Sequence, residues 1–129
     1  DKSHIDMALR LVRKGHIKPP LHFNFVLGVN GGAAGTPRDL LFLKESLPSD
    51  ATFTVTGVGR CQLDMNVIGM ILGGHVRVGF EDNLKYNRER IAVSNAEFVE
   101  RIVRIAKELN LEIATPAEAR EILRMPARK

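Results

Sequence analysis

The chain has 129 residues, 44% of them hydrophobic and 26% charged, and a formal net charge of +4. That balance suits one globular domain with its own core, and no apolar run approaches the roughly 20 residues needed to cross a bilayer, so no membrane partner is expected. One cysteine excludes an internal disulfide, Asp1-Lys2-Ser3-His4 has no signal-peptide architecture, and one tyrosine without tryptophan or aromatic-basic interleaving argues against nucleic acid. A cytoplasmic location follows as the expectation.

Helix and strand patterns alternate three times, the mark of βα units around a parallel sheet, which assigns the chain to the α/β class. Ser3 and Asp6 predict a capping box for a first helix with an Ile5, Leu9, Val12 stripe that ends at Gly15. A strand follows over 21–27. Thr36-Pro37 supplies an N-cap and a first-turn proline for a helix to about Ser46. The second strand covers 51–57, a helix spans about 63–72, and a third strand is predicted over His75-Val-Arg-Val-Gly-Phe-Glu-Asp-Asn83. Ser94-Asn95-Ala96-Glu97 reads as a capping box opening a helix with Phe98, Ile102, Ile105 and Leu109 inward, and Thr115-Pro116 opens the last helix. Arg101, Arg104 and Lys107, with the basic tail 124–129, are expected to form a solvated face.

Each strand carries one oily and one polar face. His22, Asn24 and Val26 oppose Phe23, Phe25 and Leu27; Thr52, Thr54 and Thr56 oppose Phe53 and Val55; Arg77, Gly79 and Glu81 oppose Val76, Val78 and Phe80. An open doubly wound sheet has nearly continuous apolar strands, so one polar face per strand favours a barrel whose interior opens into a site. A complete (β/α)8 barrel takes about 250 residues, and three parallel strands cannot close. The expectation is therefore a single partial domain, 1–129, forming the C-terminal part of such a barrel, with its bare edges covered by a complementing N-terminal half or by a homo-oligomer.

Charge inside a sheet is costly unless the charges meet each other, a metal or a charged ligand. Arg77, Glu81 and Asp82 are thus the leading site residues, at the strand end where barrels carry their chemistry. One carboxylate is no metal site, and His22 reads as structural because it lies near its strand's start. The loop Gly28-Val-Asn-Gly-Gly-Ala-Ala-Gly35 has the glycine content of an anion cradle, in which Gly31 and Gly32 are candidates, but it is no Walker A. Arg60, after the second strand, places a cation at the same rim. Cys61 reads as a buried structural thiol.

Four segments, His22-Phe-Asn-Phe-Val-Leu-Gly-Val29, Thr56-Gly-Val-Gly-Arg-Cys-Gln-Leu63, Gly73-Gly-His-Val-Arg-Val-Gly-Phe-Glu-Asp-Asn83 and Ala114-Thr-Pro-Ala-Glu-Ala-Arg-Glu-Ile-Leu123, resemble the C-terminal half of the beta-keto acid cleavage enzyme family. The likeness covers essentially the whole chain, and Arg-Val-Gly-x-Glu-Asp-Asn is its most specific part. It implies strands six to eight of a zinc-dependent (β/α)8 barrel that condenses a beta-keto acid with acetyl-CoA and releases acetoacetate and a new CoA ester. It also implies Glu81 as a zinc ligand beside a His-x-His pair that this sequence does not contain. Arg77 and Asp82 match the pair that handles the proton and the adduct, while Arg60, Gly31 and Gly32 stand as candidates for contacting substrate or CoA. The opposing expectation is a non-catalytic half-barrel fragment.

Overall fold

Neighbouring parallel strands need a crossover connection, usually a helix. In the computed structural model of the chain, which describes residues 1–125, such a crossover occurs twice. Strands β1 (His22–Leu27), β2 (Thr52–Gly57) and β3 (His75–Arg77) form one parallel sheet in the order β1-β2-β3. The register places Phe25 beside Val55 and Thr56 beside Arg77. Helices α1 (Lys2–Arg13), α2 (Pro37–Glu45), α3 (Gln62–Ile71), α4 (Asn95–Glu108) and α5 (Pro116–Ile122) complete the order. Two readings placed on the basic tail, Arg128 and Lys129, lie outside the described residues.

Strand alternation decides where the core sits. Phe25 and Leu27 of β1 and Phe53 and Val55 of β2 are buried together with Ile5 of α1, Leu40 and Leu43 of α2, and Met65 of α3. α3 lies so close to β2 that a Cβ at Gly69 would stand 2.7 Å from a Val55 methyl. A smaller cluster joins Met70 of α3 to Ile102 and Ala106 of α4, with Val76 and Val78 packed against it. On the opposite face His22, Asn24 and Val26 are exposed. Among the described residues nothing pairs with the outer edges of β1 and β3.

Several local expectations need correction. The first helix is capped by Asp1, in a capping box with His4, and Ser3 donates its hydroxyl to Asp1 rather than acting as the cap. The third strand ends at Arg77 and does not run to Asn83. β2 ends one residue beyond the Thr56–Arg77 pair, so the chain has no ladder partner left and turns. Ser94 caps α4, but the Glu97 carboxylate accepts from Val93 N–H and pairs with Arg90 instead of closing the box. Ile105 and Leu109 are only half-buried, and Ala106 takes the innermost place. Thr36 and Thr115 cap as read, the latter in a full capping box with Glu118.

Candidate active site

The turn after β3 brings the three charged residues together. Asp82 and Asn83 both donate their N–H groups to the Gly79 carbonyl, at 3.1 Å each, which folds the segment back over the strand end. Arg77 therefore meets carboxylates four and five residues later without reaching along a strand. Its Nε and Nη2 donate to the two oxygens of Asp82, at 3.0 and 2.8 Å, a bidentate fork, and Nη2 also binds Glu81. Nη1 has no partner among the described residues. Gly79 faces Asn95 of α4, whose Oδ1 accepts from Phe80 N–H at 2.8 Å.

The two carboxyls share a guanidinium but sit in different surroundings. The Asp82 side chain is 4% exposed and that of Glu81 78%. Burial, reinforced by its neighbour Glu81, pushes the Asp82 pKa above the usual aspartate value. A hydrogen bond from Asp82, then the Arg77 charge, draws Glu81 below the usual glutamate value. The pair thus divides its labour: Asp82 holds a proton more readily, and Glu81 stays ionised. The Asp82 hydrogen bond is the foremost of the interactions that raise the Arg77 pKa and keep its charge.

A cleft of about 1190 Å³ opens beside this turn, bordered by Arg60, Cys61, Gln62, Glu81, Asp82 and Tyr86 among others. Arg60 stands at the rim as expected from sequence. Of the glycine loop, Gly35 reaches the cleft wall, whereas Gly31 and Gly32 lie away from it. The Cys61 Sγ is half-buried and bonds the Val58 carbonyl at 3.1 Å, the environment of a structural thiol. His22 sits at the far end of the sheet, its two ring nitrogens bonded to Thr52 and Thr54 at 2.8 and 2.9 Å. That placement agrees with a structural role.

The far wall of the cleft was not legible beforehand. Tyr86 lies between two guanidinium groups, Arg90 at 4.1 Å and Arg101 at 4.0 Å from its ring centre. Arg101 also donates to the Tyr86 carbonyl at 2.5 Å, so it is a packing residue and not part of a solvated face. The separation of Arg90 and Arg101 in sequence matches no periodic template, and only the fold brings them to one ring. Gln62, which accepts from Asn83 of the motif in a long hydrogen bond of 3.4 Å, also escaped notice. Gln62 and Asn66, four apart on the face that also carries Met65, Gly69 and Met70, were the signal available.

Zinc was expected to use Glu81. In this chain the Glu81 carboxylate is engaged by Arg77, and among the described residues no group of three His, Cys, Asp or Glu side chains is placed to hold a metal. The donors among the described residues do not by themselves fit a zinc site. Among the described residues, no helix is long and apolar enough to cross a membrane.

A family model described as beta-keto acid cleavage enzyme matches residues 1–125. The chain is 59% identical over 123 residues to the 3-keto-5-aminohexanoate cleavage enzyme of Acetoanaerobium sticklandii, covering 95% of this chain and 45% of that protein. It is 54% identical over 123 residues to the enzyme of the same name from Fusobacterium nucleatum, covering 95% and 44%. Identity to the 3-oxoadipate:acetyl-CoA acetyltransferase of Cupriavidus necator is 35% over 130 residues, covering 98% and 46%. The chain spans less than half the length of these relatives.

Proposed function

The chain belongs to the beta-keto acid cleavage enzyme family, and on that premise we propose that it is the C-terminal part of an enzyme that condenses a beta-keto acid with acetyl-CoA and cleaves the adduct to acetoacetate and a new CoA ester. β1 to β3 would be the sixth to eighth strands of a (β/α)8 barrel. The unbroken parallel order, the polar sheet face and the two open edges support that placement. The observation that carries the functional reading is the Arg77 fork on buried Asp82 and exposed Glu81, set beside a large cleft.

Breaking and making a carbon-carbon bond beside a carbonyl requires a proton to leave carbon and negative charge to gather on oxygen. Arg77 meets the second need: its charge is secured by Asp82, its position is fixed by two hydrogen bonds, and Nη1 remains for a substrate oxygen. Asp82, with raised proton affinity, would take the proton that leaves carbon and return it to the product, while Glu81 stays ionised. In the complete barrel, Glu81 would be one ligand of a zinc ion whose other ligands lie outside these 129 residues. No step above depends on that ion.

The test uses the full-length protein with acetyl-CoA and a panel of beta-keto acids, beginning with 3-keto-5-aminohexanoate, the substrate in the name of the relative at 59% identity. Acetoacetate should form, and its absence with every substrate would remove the reading. Glu81→Ala should abolish turnover and reduce zinc content. The opposing reading, a half-barrel without activity, is favoured for the isolated chain by its bare sheet edges and its lack of a metal-sized donor group among the described residues. Purified alone, the 129-residue chain should carry no stoichiometric zinc by elemental analysis.

A further inference from the structure

The Arg77–Asn83 segment is short, irregular and highly charged, yet it is tied at three points to one continuous piece of chain. Gly59, in the 3-10 turn Gly59–Cys61 that precedes α3, donates its N–H to the Asp82 carbonyl at 2.8 Å. Gln62, at the start of α3, accepts through Oε1 from Asn83 at 3.4 Å. One helical turn on, Asn66 donates through Nδ2 to the Arg77 carbonyl at 3.3 Å. Residues four apart share a helix face, so Gln62 and Asn66 grip the two ends of the segment while Gly59 holds its last residue but one.

Gln62 and Asn66 hold these places at a disadvantage to packing. Gln62 is 3% exposed and Asn66 wholly buried, on a helix whose other inward residues are Met65, Gly69 and Met70. Each leaves one amide atom, Gln62 Nε2 and Asn66 Oδ1, buried and without a partner among the described residues. An aliphatic side chain at either position would fill similar space with no such penalty. Gly59 shows a related preference for geometry over stability. It has φ +61°, a left-handed conformation that directs its N–H at Asp82, although a Cβ there would meet nothing within 4 Å.

We propose that Gly59, Gln62 and Asn66 are positioning residues: a three-point ladder from the end of β2 through α3 that fixes the Arg77 and Asp82 backbones, and with them the guanidinium–carboxylate fork. None of the three bonds the guanidinium or either carboxylate of the fork, and their action is through the backbone and Asn83. The consequence for turnover rests on the proposed function, whereas the consequence for the turn does not. A displacement of about 1 Å at reacting groups is enough to slow chemistry about 100-fold. Loss of the ladder should therefore appear in kcat and not in substrate binding.

The experiment prepares the full-length protein with Asn66→Leu, Gln62→Met and Gly59→Ala, and measures amide hydrogen exchange beside steady-state kinetics. The amides of Asp82 and Asn83, both bonded to the Gly79 carbonyl, report the turn. Their exchange should quicken about tenfold or more in each variant while the β1 and β2 amides keep their protection. kcat should fall about 10- to 100-fold with KM changed less than about threefold. Unchanged exchange at Asp82 and Asn83, or quickening spread evenly over the sheet, would overturn the ladder. Local quickening with kcat intact would also overturn it, because the turn would then move without consequence. If the unsubstituted protein forms no acetoacetate, the functional reading falls, and exchange alone decides whether the ladder exists. Should Asn66→Leu fail to fold, Gly59→Ala, which meets no neighbour within 4 Å but strains the left-handed backbone at φ +61°, still tests it.

Discussion

The two faces of the three-stranded sheet are made by the same strands, through alternate residues, yet they differ in what completes them. The face of Phe25, Leu27, Phe53 and Val55 is finished: α1, α2 and α3 cover it, and its side chains are almost wholly removed from water. The face of His22, Asn24, Thr54 and Arg77 is held by hydrogen bonds between side chains and stays largely open. The lesson is a separation of tasks. Apolar packing on one side gives the sheet its stability, which leaves the other side free to carry groups that no stability argument would select.

Substitutions on each face should therefore report on different quantities. The largest effect is expected from Arg77→Ala, which removes the fork: turnover of the intact protein should drop about 100- to 10,000-fold, and stability should fall too, because the buried Asp82 carboxyl loses both its donors. A large fall in stability with activity retained would reverse the assignment of the faces. Leu27→Ala, across the sheet, should cost about 2–5 kcal/mol in denaturant unfolding while leaving the kinetic constants of the folded fraction near their original values. Asn24→Ala sharpens the comparison. It takes away the acceptor of the fully buried Thr56 hydroxyl, bonded at 2.9 Å, and should cost about 1–3 kcal/mol, showing that the polar face is not inert.

The smallest effect is pH dependence at His22, whose pKa is lowered by burial first and by the nearby His75 second. The folded state then binds its proton less tightly than the unfolded chain does. Its contribution to stability is complete above the ordinary histidine pKa of about 6.5 and is lost as the pH falls through that value toward the folded one. Melting curves across this window should show the loss, and His22→Asn should flatten it. An unchanged slope in the variant would assign the titration elsewhere.

The finished face was readable from sequence because alternation is a local property. Strands β1 and β2, the proline-led starts of α2 and α5, and the inward Phe98 and Ile102 all followed from spacing. The site was half readable. Arg77, Glu81 and Asp82 stood out because charge amid apolar residues is conspicuous, but the apparent alternation through Phe80 concealed a turn. Phe80 is apolar because it meets Phe98 edge-on at 5.8 Å, not because it continues a strand. Glu97 shows the same limit: a capping box is a local rule, and a partner seven residues earlier in sequence, Arg90, outcompeted it. Cation stacking on Tyr86 and the grip of Gln62 and Asn66 depend on tertiary neighbours, which spacing does not encode.

Tyr86 is the chain's one tyrosine, and the chain has no tryptophan. Its near-ultraviolet absorbance and intrinsic fluorescence therefore come almost entirely from a ring clamped between two guanidinium groups in the wall of the cleft. These 129 residues carry a single optical reporter, placed where a ligand would arrive. A change in its emission would register movement of that wall without any label being attached.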